Sequence, residues 1–144
     1  MKKLCLGLAV TAALATSAVA LAAVTPSVKF VTPKPGASTH SKTTFTVKLT
    51  NFKLDAKDVG KTKKANTGHL HFSMDNGKYD YPKYSGANGK LAVMLGIAGK
   101  YSPSVLPTIT YRALPKGTHH LVVFLANNDH SAIGPKASIT FTVR

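Results

Sequence analysis

Residues 68–74 read Gly-His-Leu-His-Phe-Ser-Met, a stretch in which apolar and polar side chains alternate. A period of two is the pattern of a β-strand, because successive side chains of a strand point to opposite faces of a sheet. The apolar side chains from Leu70 to Met74 then share the face turned to a core, and His69 and His71 share the other. Two neutral imidazoles side by side can begin a copper or zinc site.

The same alternation recurs on both sides of this stretch. Residues 43–50 and 137–143 each place three large apolar side chains at every second position. Asn76-Gly77 predicts a tight turn into a further strand-like segment at 78–81, and no apolar run shows helical spacing beyond the N-terminal residues. About seven short strands delimited by turns predict an all-β fold, an antiparallel immunoglobulin-like β-sandwich. The predicted strands begin near Val28 and cover 43–50, 69–74, 91–97, 108–111, 119–126 and 137–143.

The N-terminal residues indicate the compartment. Met1-Lys2-Lys3 is a short basic region, and residues 4–21 are an almost uninterrupted run of apolar and small residues. Small residues at cleavage spacing follow, so the pattern predicts a cleaved signal peptide over residues 1–23. A retained membrane anchor is the alternative, but the run is short for a span. We therefore expect one β-sandwich domain over residues 24–144, secreted or periplasmic, with no transmembrane anchor after processing.

Cysteine usage excludes several kinds of site. Cys5 is the single cysteine and lies inside the predicted signal peptide. An exported chain without it has no disulfide, no thiolate metal ligand and no cysteine nucleophile. The remaining length suffices for one domain with a core, and we expect a monomer.

The charge of the chain is strongly basic. It carries 19 Lys and Arg against 5 Asp and Glu, a net charge of +14, or +12 from Val24 onward. Such a surface attracts polyanions, and for an exported chain an anionic cell-envelope polymer is the expected partner. The alternative is that the charge confers solubility alone. No module for sequence-specific nucleic-acid binding is recognisable.

Aromatic residues near the chain centre suggest a second kind of binding surface. Tyr79, Tyr81 and Tyr84 are interleaved with lysines, among them Lys83. Tyrosine rings can stack on sugars while the lysines pair with acidic groups. An ordinary strand face is the alternative for Tyr79 and Tyr81.

The histidines predict a candidate metal site. In an immunoglobulin-like sandwich the third and sixth strands are antiparallel neighbours, so His69 and His71 approach the residues that follow the sixth strand. His130 lies there, and Asp129 is a possible fourth ligand or supporting group. The alternative is a metal-free network of imidazoles that hydrogen-bond to loop carbonyls.

Other residues refine this hypothesis. His119 begins the sixth strand, about 20 Å from the other end at 3.3 Å per residue, and its parity predicts a buried histidine hydrogen-bonded to backbone. Imidazole with a carboxylate suits copper(II) or zinc. Met74 faces away from the histidines and no cysteine is present, which disfavours a blue-copper site.

No pattern predicts catalysis. The five aspartates fall in different turns, and neither a nucleophile elbow, a metalloprotease His-Glu pattern nor a phosphate loop is present. The sequence predicts a non-enzymatic domain that binds copper or zinc. The alternative is a basic module for anionic envelope polymers or glycans in which the histidines are structural.

Several short motifs occur in a recognisable order: Pro33-x-x-Gly36-Ala37, Gly68-His69-x-His71, Leu114-Pro115-x-Gly117-x-His119, and Asn127-Asn128-Asp129-His130 to Gly134-Pro135. With them the chain resembles a family of exported bacterial immunoglobulin-like domains of unknown function. The resemblance covers residues 28–143 and implies a secreted or periplasmic β-sandwich with recurring histidines. It implies no activity.

Overall fold

The computed structural model describes residues 24–80 and 86–144, and the predicted signal peptide lies outside them. Within these residues there are nine strands and one helix, and the helix lacks the combined length and hydrophobicity of a membrane span. The strands are β1 (Ser27–Thr32), β2 (Ser38–Thr39), β3 (Thr43–Thr50), β4 (Lys53–Leu54), β5 (Thr67–Met74), β6 (Ser102–Ser104), β7 (Thr108–Tyr111), β8 (Gly117–Asn127) and β9 (Ala132–Val143), and the helix α1 spans Gly86–Met94.

The strands form two sheets. The smaller sheet has the order β1-β3-β7, and the larger has the order β2-β9-β8-β5-β4, with β6 also paired to β5. The short β2 and β4 pair in parallel with β9 and β5, and the other neighbours are antiparallel. This order is that of an immunoglobulin-like β-sandwich, so the predicted fold class is confirmed.

The core is built from the apolar side chains that alternate along the strands. Phe45 of β3 is completely buried, with its ring centroid 5.0 Å from that of Phe141 and 6.0 Å from that of Tyr111 in edge-to-face contacts. Burial of each such ring stabilises the fold by roughly 2 kcal/mol. On β5, Leu70 and Met74 face this core and are completely buried. Phe72 shares this face, and the alternate side chains of His69, His71 and Ser73 therefore point to the outer face of the larger sheet.

The prediction of a strand at residues 91–97 is wrong, because α1 occupies the first part of this segment. Apolar runs of this length suit a helix or a strand, and here the strong helix formers Leu, Ala and Met favour the helix. The helix ends at Met94, and Gly96 follows in the turn with a left-handed φ of 66°. The Gly96 and Ile97 N–H groups donate to the carbonyls of Val93 and Ala92, which closes the last turn.

The strand predicted after Asn76-Gly77 is also absent over its described residues, 78–80. The turn itself is present, with φ values of 58° and 92°. Asp80 then folds back onto β5, where both carboxylate oxygens lie 3.1 Å from the Met74 N–H nitrogen and Oδ1 accepts from the Tyr111 hydroxyl at 2.6 Å. Burial raises the pKa of this carboxyl, whereas these hydrogen bonds lower it. A side chain thus supplies the acceptor that a neighbouring strand would provide.

Gly68 lies at a close approach between β5 and β8. A Cβ atom at this position would lie 3.0 Å from the carbonyl carbon of Ala126, 3.1 Å from Cα of Asn127, and nearer still to the Ala126 oxygen. Because these are backbone atoms of a paired strand, they cannot move aside as a flexible side chain would. The glycine is therefore required by the pairing that sets His69 opposite Ala126.

Gly68→Ala should lower the free energy of unfolding by about 3 kcal/mol, because the added methyl group separates β5 from β8. Urea unfolding followed by circular dichroism measures the change. Gly134→Ala in β9 is the matched control, since a Cβ there meets nothing within 4 Å, and its effect should stay within about 0.5 kcal/mol. Equal destabilisation by the two substitutions would contradict this account of Gly68.

Candidate functional site

Three histidines meet on the outer face of the larger sheet. Core residues alternate with His69 and His71 along β5, so both imidazoles leave the sheet on the side away from the core. Antiparallel pairing sets His69 opposite Ala126 and His71 opposite Phe124 of β8. The chain turns back just after this point, which brings His130 over the start of β5.

The turn between β8 and β9 orients His130. The His130 N–H donates to the Asn127 carbonyl at 3.0 Å, and the Asn127 N–H donates to the Ser131 carbonyl at 2.9 Å. His130 has a φ of 67°, a left-handed conformation that costs a non-glycine residue about 1–2 kcal/mol. The surrounding contacts must offset this cost to hold the ring toward β5.

One nitrogen of each ring points to a common centre. His69 Nε2 lies 2.9 Å from His71 Nε2 and 3.0 Å from His130 Nδ1, and the third side of the triangle is 3.4 Å. The three side chains are 0%, 1% and 4% exposed. They are a group of possible ligands whose nitrogens all lie within 4.8 Å of one another.

Hydrogen bonds among the three nitrogens of this triangle cannot pair all of them with one another. Asn88 of α1 accepts a hydrogen bond through Oδ1 from His130 Nε2, so neutral His130 presents a lone pair at Nδ1. A proton on His69 Nε2 can serve one of its two neighbours in good geometry, but not both. His69 Nδ1 is also buried and has no partner among the described residues. Nitrogens that converge in this way suit a metal ion.

Aromatic rings line one side of the cluster. Tyr101 stacks on His71 with ring centroids 5.3 Å apart, and Phe124 meets His71 edge-on at the same distance. A cleft of about 310 Å³ reaches His69 and Asn88. The site is thus dry around His71, with a concave approach on the side of His69.

Burial keeps the rings neutral. It lowers the pKa of His69 to about 3, with the neighbouring His130 acting in the same direction and Asp129 opposing. It lowers the pKa of His71 to about 2, with His69 and His130 adding to the shift. Burial also lowers the pKa of His130, against the charge of Asp129. At neutral pH the nitrogens therefore have lone pairs available for a metal.

Stability should fall in mild acid, because the unfolded chain takes up protons near pH 6.5 whereas the buried rings do not. A depressed folded-state pKa gives stability that is complete above pH 6.5 and is lost as the pH falls toward 3. Between pH 7.5 and 5.0, His69 and His71 should each lower the free energy of unfolding by about 2 kcal/mol. Urea unfolding in the presence of a chelator measures this loss of stability. His71→Gln should reduce the loss by about 2 kcal/mol, the contribution of one histidine. An equal loss in both proteins would contradict the assignment.

The predicted histidines come together, but Asp129 does not join their nitrogens. Its Oδ1 accepts hydrogen bonds from the Ser131 N–H at 3.0 Å and hydroxyl at 2.6 Å, and Oδ2 lies 3.7 Å from Lys63 Nζ. The arrangement agrees with the supporting role and not with direct ligation. The contact of Asn88 with His130 is not predicted by the sequence, because the alternation indicates no helix at this position.

His119 lies apart from the cluster, as predicted from its parity. It is buried, its Nε2 donates to the Pro115 carbonyl at 2.8 Å, and its Nδ1 lies 2.7 Å from Asp75 Oδ2. Asp75 Oδ1 also accepts from the His120 N–H at 2.7 Å. These contacts join the start of β8 to the turn after β5, which is a structural role.

Of the residues predicted to bind a glycan, the structure describes Tyr79, and Tyr81, Lys83 and Tyr84 lie outside the described residues. Tyr79 is half-buried and packs against the core, with its ring centroid 5.6 Å from that of His119. Glycan binding through these residues stays a prediction.

Comparison with known proteins supports no assignment of function. No family model matches the chain, so its resemblance to exported bacterial domains of unknown function stays a prediction. No curated protein matches it. It is similar to a solved structure of the fibronectin(III)-like modules of Clostridium thermocellum CbhA, with 17% identity over 81% of this chain and 96% of that chain and a TM-score of 0.42. The fold assignment therefore rests on the sheet order described above.

Proposed function

We propose that this chain is an exported, non-enzymatic β-sandwich module that binds one zinc or copper ion through His69 Nε2, His71 Nε2 and His130 Nδ1. The observation that carries the proposal is the convergence of these three nitrogens within 3.4 Å of one another. Three neutral imidazoles placed this closely match the ligand chemistry of both metals.

The spacing of the nitrogens favours a tetrahedral ion. At a metal–nitrogen distance of about 2.0–2.1 Å, tetrahedral angles separate two ligand atoms by about 3.3 Å. The observed separations of 2.9, 3.0 and 3.4 Å lie near this value. Three positions of a square plane would include one pair about 4 Å apart, so the set suits zinc better than tetragonal copper(II). Copper(II) stays a competitor because imidazole sites generally bind it more tightly.

Neighbouring residues support a holding role. Asn88 accepts from the outer nitrogen of His130 and so directs the other nitrogen to the metal, as groups around metal-bound histidines commonly do. A hydrolytic site needs a general base beside a metal-bound water, and within the described residues no carboxylate joins the three nitrogens. The bound ion would thus be stored, carried or used for stability.

Titration calorimetry of the purified protein with zinc, and separately with copper(II), should show saturable binding of one ion. His71→Ala should abolish this binding, because only two of the three nitrogen ligands remain. At a free-ion concentration of 100 times Kd, the ion should add about 2.7 kcal/mol to the free energy of unfolding.

Two further variants separate ligation from folding. His120→Ala removes an exposed histidine outside the cluster and should bind as the wild type does. Asn88→Ala keeps all three ligands and should weaken binding about 10- to 100-fold by releasing His130. Equal heats in the wild type and His71→Ala, with both folded by circular dichroism, would overturn the proposal.

A second candidate, a basic module for anionic envelope polymers, is favoured by one pair of residues. Lys29 of β1 and Lys48 of β3 are cross-strand partners, and both are exposed on the outer face of the smaller sheet. Directly opposed like charges destabilise a sheet, and no acidic side chain pairs with either lysine among the described residues. A polyanion lying across this face would neutralise both charges.

Retention on heparin should reveal this surface. Lys29→Gln with Lys48→Gln should reduce the slope of log affinity against log salt by between about 1 and 2, because two ion contacts are lost. Lys116→Gln with Lys136→Gln removes the same charge from other exposed positions and is the control. Equal effects of the two double substitutions would leave only non-specific attraction.

A further inference from the structure

The segment after the middle of α1 exposes an unusual run of apolar side chains. Residues 93–99 read Val-Met-Leu-Gly-Ile-Ala-Gly and contain no polar or charged side chain. Val93 is 69% exposed, Met94 75% and Leu95 47%. Single exposed apolar residues are ordinary, but three in succession at one point of the surface indicate an interaction site. We call residues 93–99 the apolar tip.

The apolar tip is held in an ordered backbone. The Leu95 N–H donates to the Leu91 carbonyl at 2.9 Å, and the Ile97 and Ala98 N–H groups donate to the Ala92 carbonyl at 3.0 and 3.3 Å. Ala92 itself is completely buried and anchors the segment. These three backbone donors are already satisfied by carbonyls of α1, so they can leave water without losing their hydrogen bonds.

Basic residues flank the apolar tip. Lys90 precedes it, Lys100 follows it, and both are exposed. The sequence has no acidic residue from position 81 to position 128, whereas five Lys and Arg fall in that range. An apolar segment between cations matches the interface of an anionic bilayer, where the side chains enter the acyl boundary and the lysines meet the headgroups.

We propose that the apolar tip docks this protein on anionic lipid surfaces. Val93, Met94 and Leu95 enter the interface, and Lys90 and Lys100 pair with the headgroups. Lipid docking does not depend on metal binding, so a negative result for one proposal leaves the other unaffected.

Ala98→Cys in a Cys5→Ser background places an environment-sensitive dye in the tip and leaves its three large side chains intact. Vesicles of phosphatidylglycerol and phosphatidylcholine should shift the dye emission to the blue, and vesicles of phosphatidylcholine alone should shift it much less. Because the dye reports on residue 98, binding through another part of the chain gives no signal. A dye at Thr50→Cys, exposed in the smaller sheet, is the control and should not shift.

Two sets of substitutions on the same labelled protein test the contributions. Met94→Ser should weaken vesicle binding about tenfold, since Met94 is the most exposed of the three large side chains of the apolar tip. Lys90→Gln with Lys100→Gln should weaken it about tenfold or more at low salt. Two results with anionic vesicles would overturn the proposal: no emission shift at residue 98, or equal shifts at residues 98 and 50. A shift at residue 98 that appears without vesicles when the protein concentration is raised would also overturn it. That result would show that a second copy of the chain covers the apolar tip.

Discussion

Seven residue pairs join β5 to β8, from Gly68 opposite Asn127 to Met74 opposite Leu121, and both the core and the candidate site depend on their register. Because side chains alternate along a strand, one register turns Leu70 and its apolar neighbours to the core and His69 to the outer face. A slip of one residue would exchange the two faces, with imidazoles in the core and leucine at the surface. The hydrophobic effect that selects the core face therefore also assembles the histidines.

Alternation and sheet order together were sufficient to predict which three histidines come together. The period of two placed His69 and His71 on one face, and the adjacency of the third and sixth strands of an immunoglobulin-like sandwich brought His130 beside them. The two wrong strand predictions concern segments whose structure the alternation of side chains does not determine. The residues of α1 form helix or strand according to their packing, and Asp80 replaces a strand with a side-chain acceptor. Asn88 reaches His130 only through the placement of that helix.

Without a ligand, several features of the site oppose folding. Three imidazoles are dehydrated, a buried nitrogen of His69 has no partner among the described residues, and His130 has a left-handed backbone. Each feature has a cost of order 1–3 kcal/mol. Local rules are typically broken in this way at functional sites, where another interaction offsets the cost. A bound ion would coordinate the three converging nitrogens, and its binding would offset the cost of the left-handed backbone at His130.

The most direct test of the metal site is anomalous diffraction at the zinc edge, from crystals of the protein grown with zinc at neutral pH. We expect one strong anomalous peak about 2.0–2.1 Å from His69 Nε2, His71 Nε2 and His130 Nδ1. Anomalous peaks confined to other residues, with the three rings in contact and no ion between them, would contradict it and identify the cluster as structural.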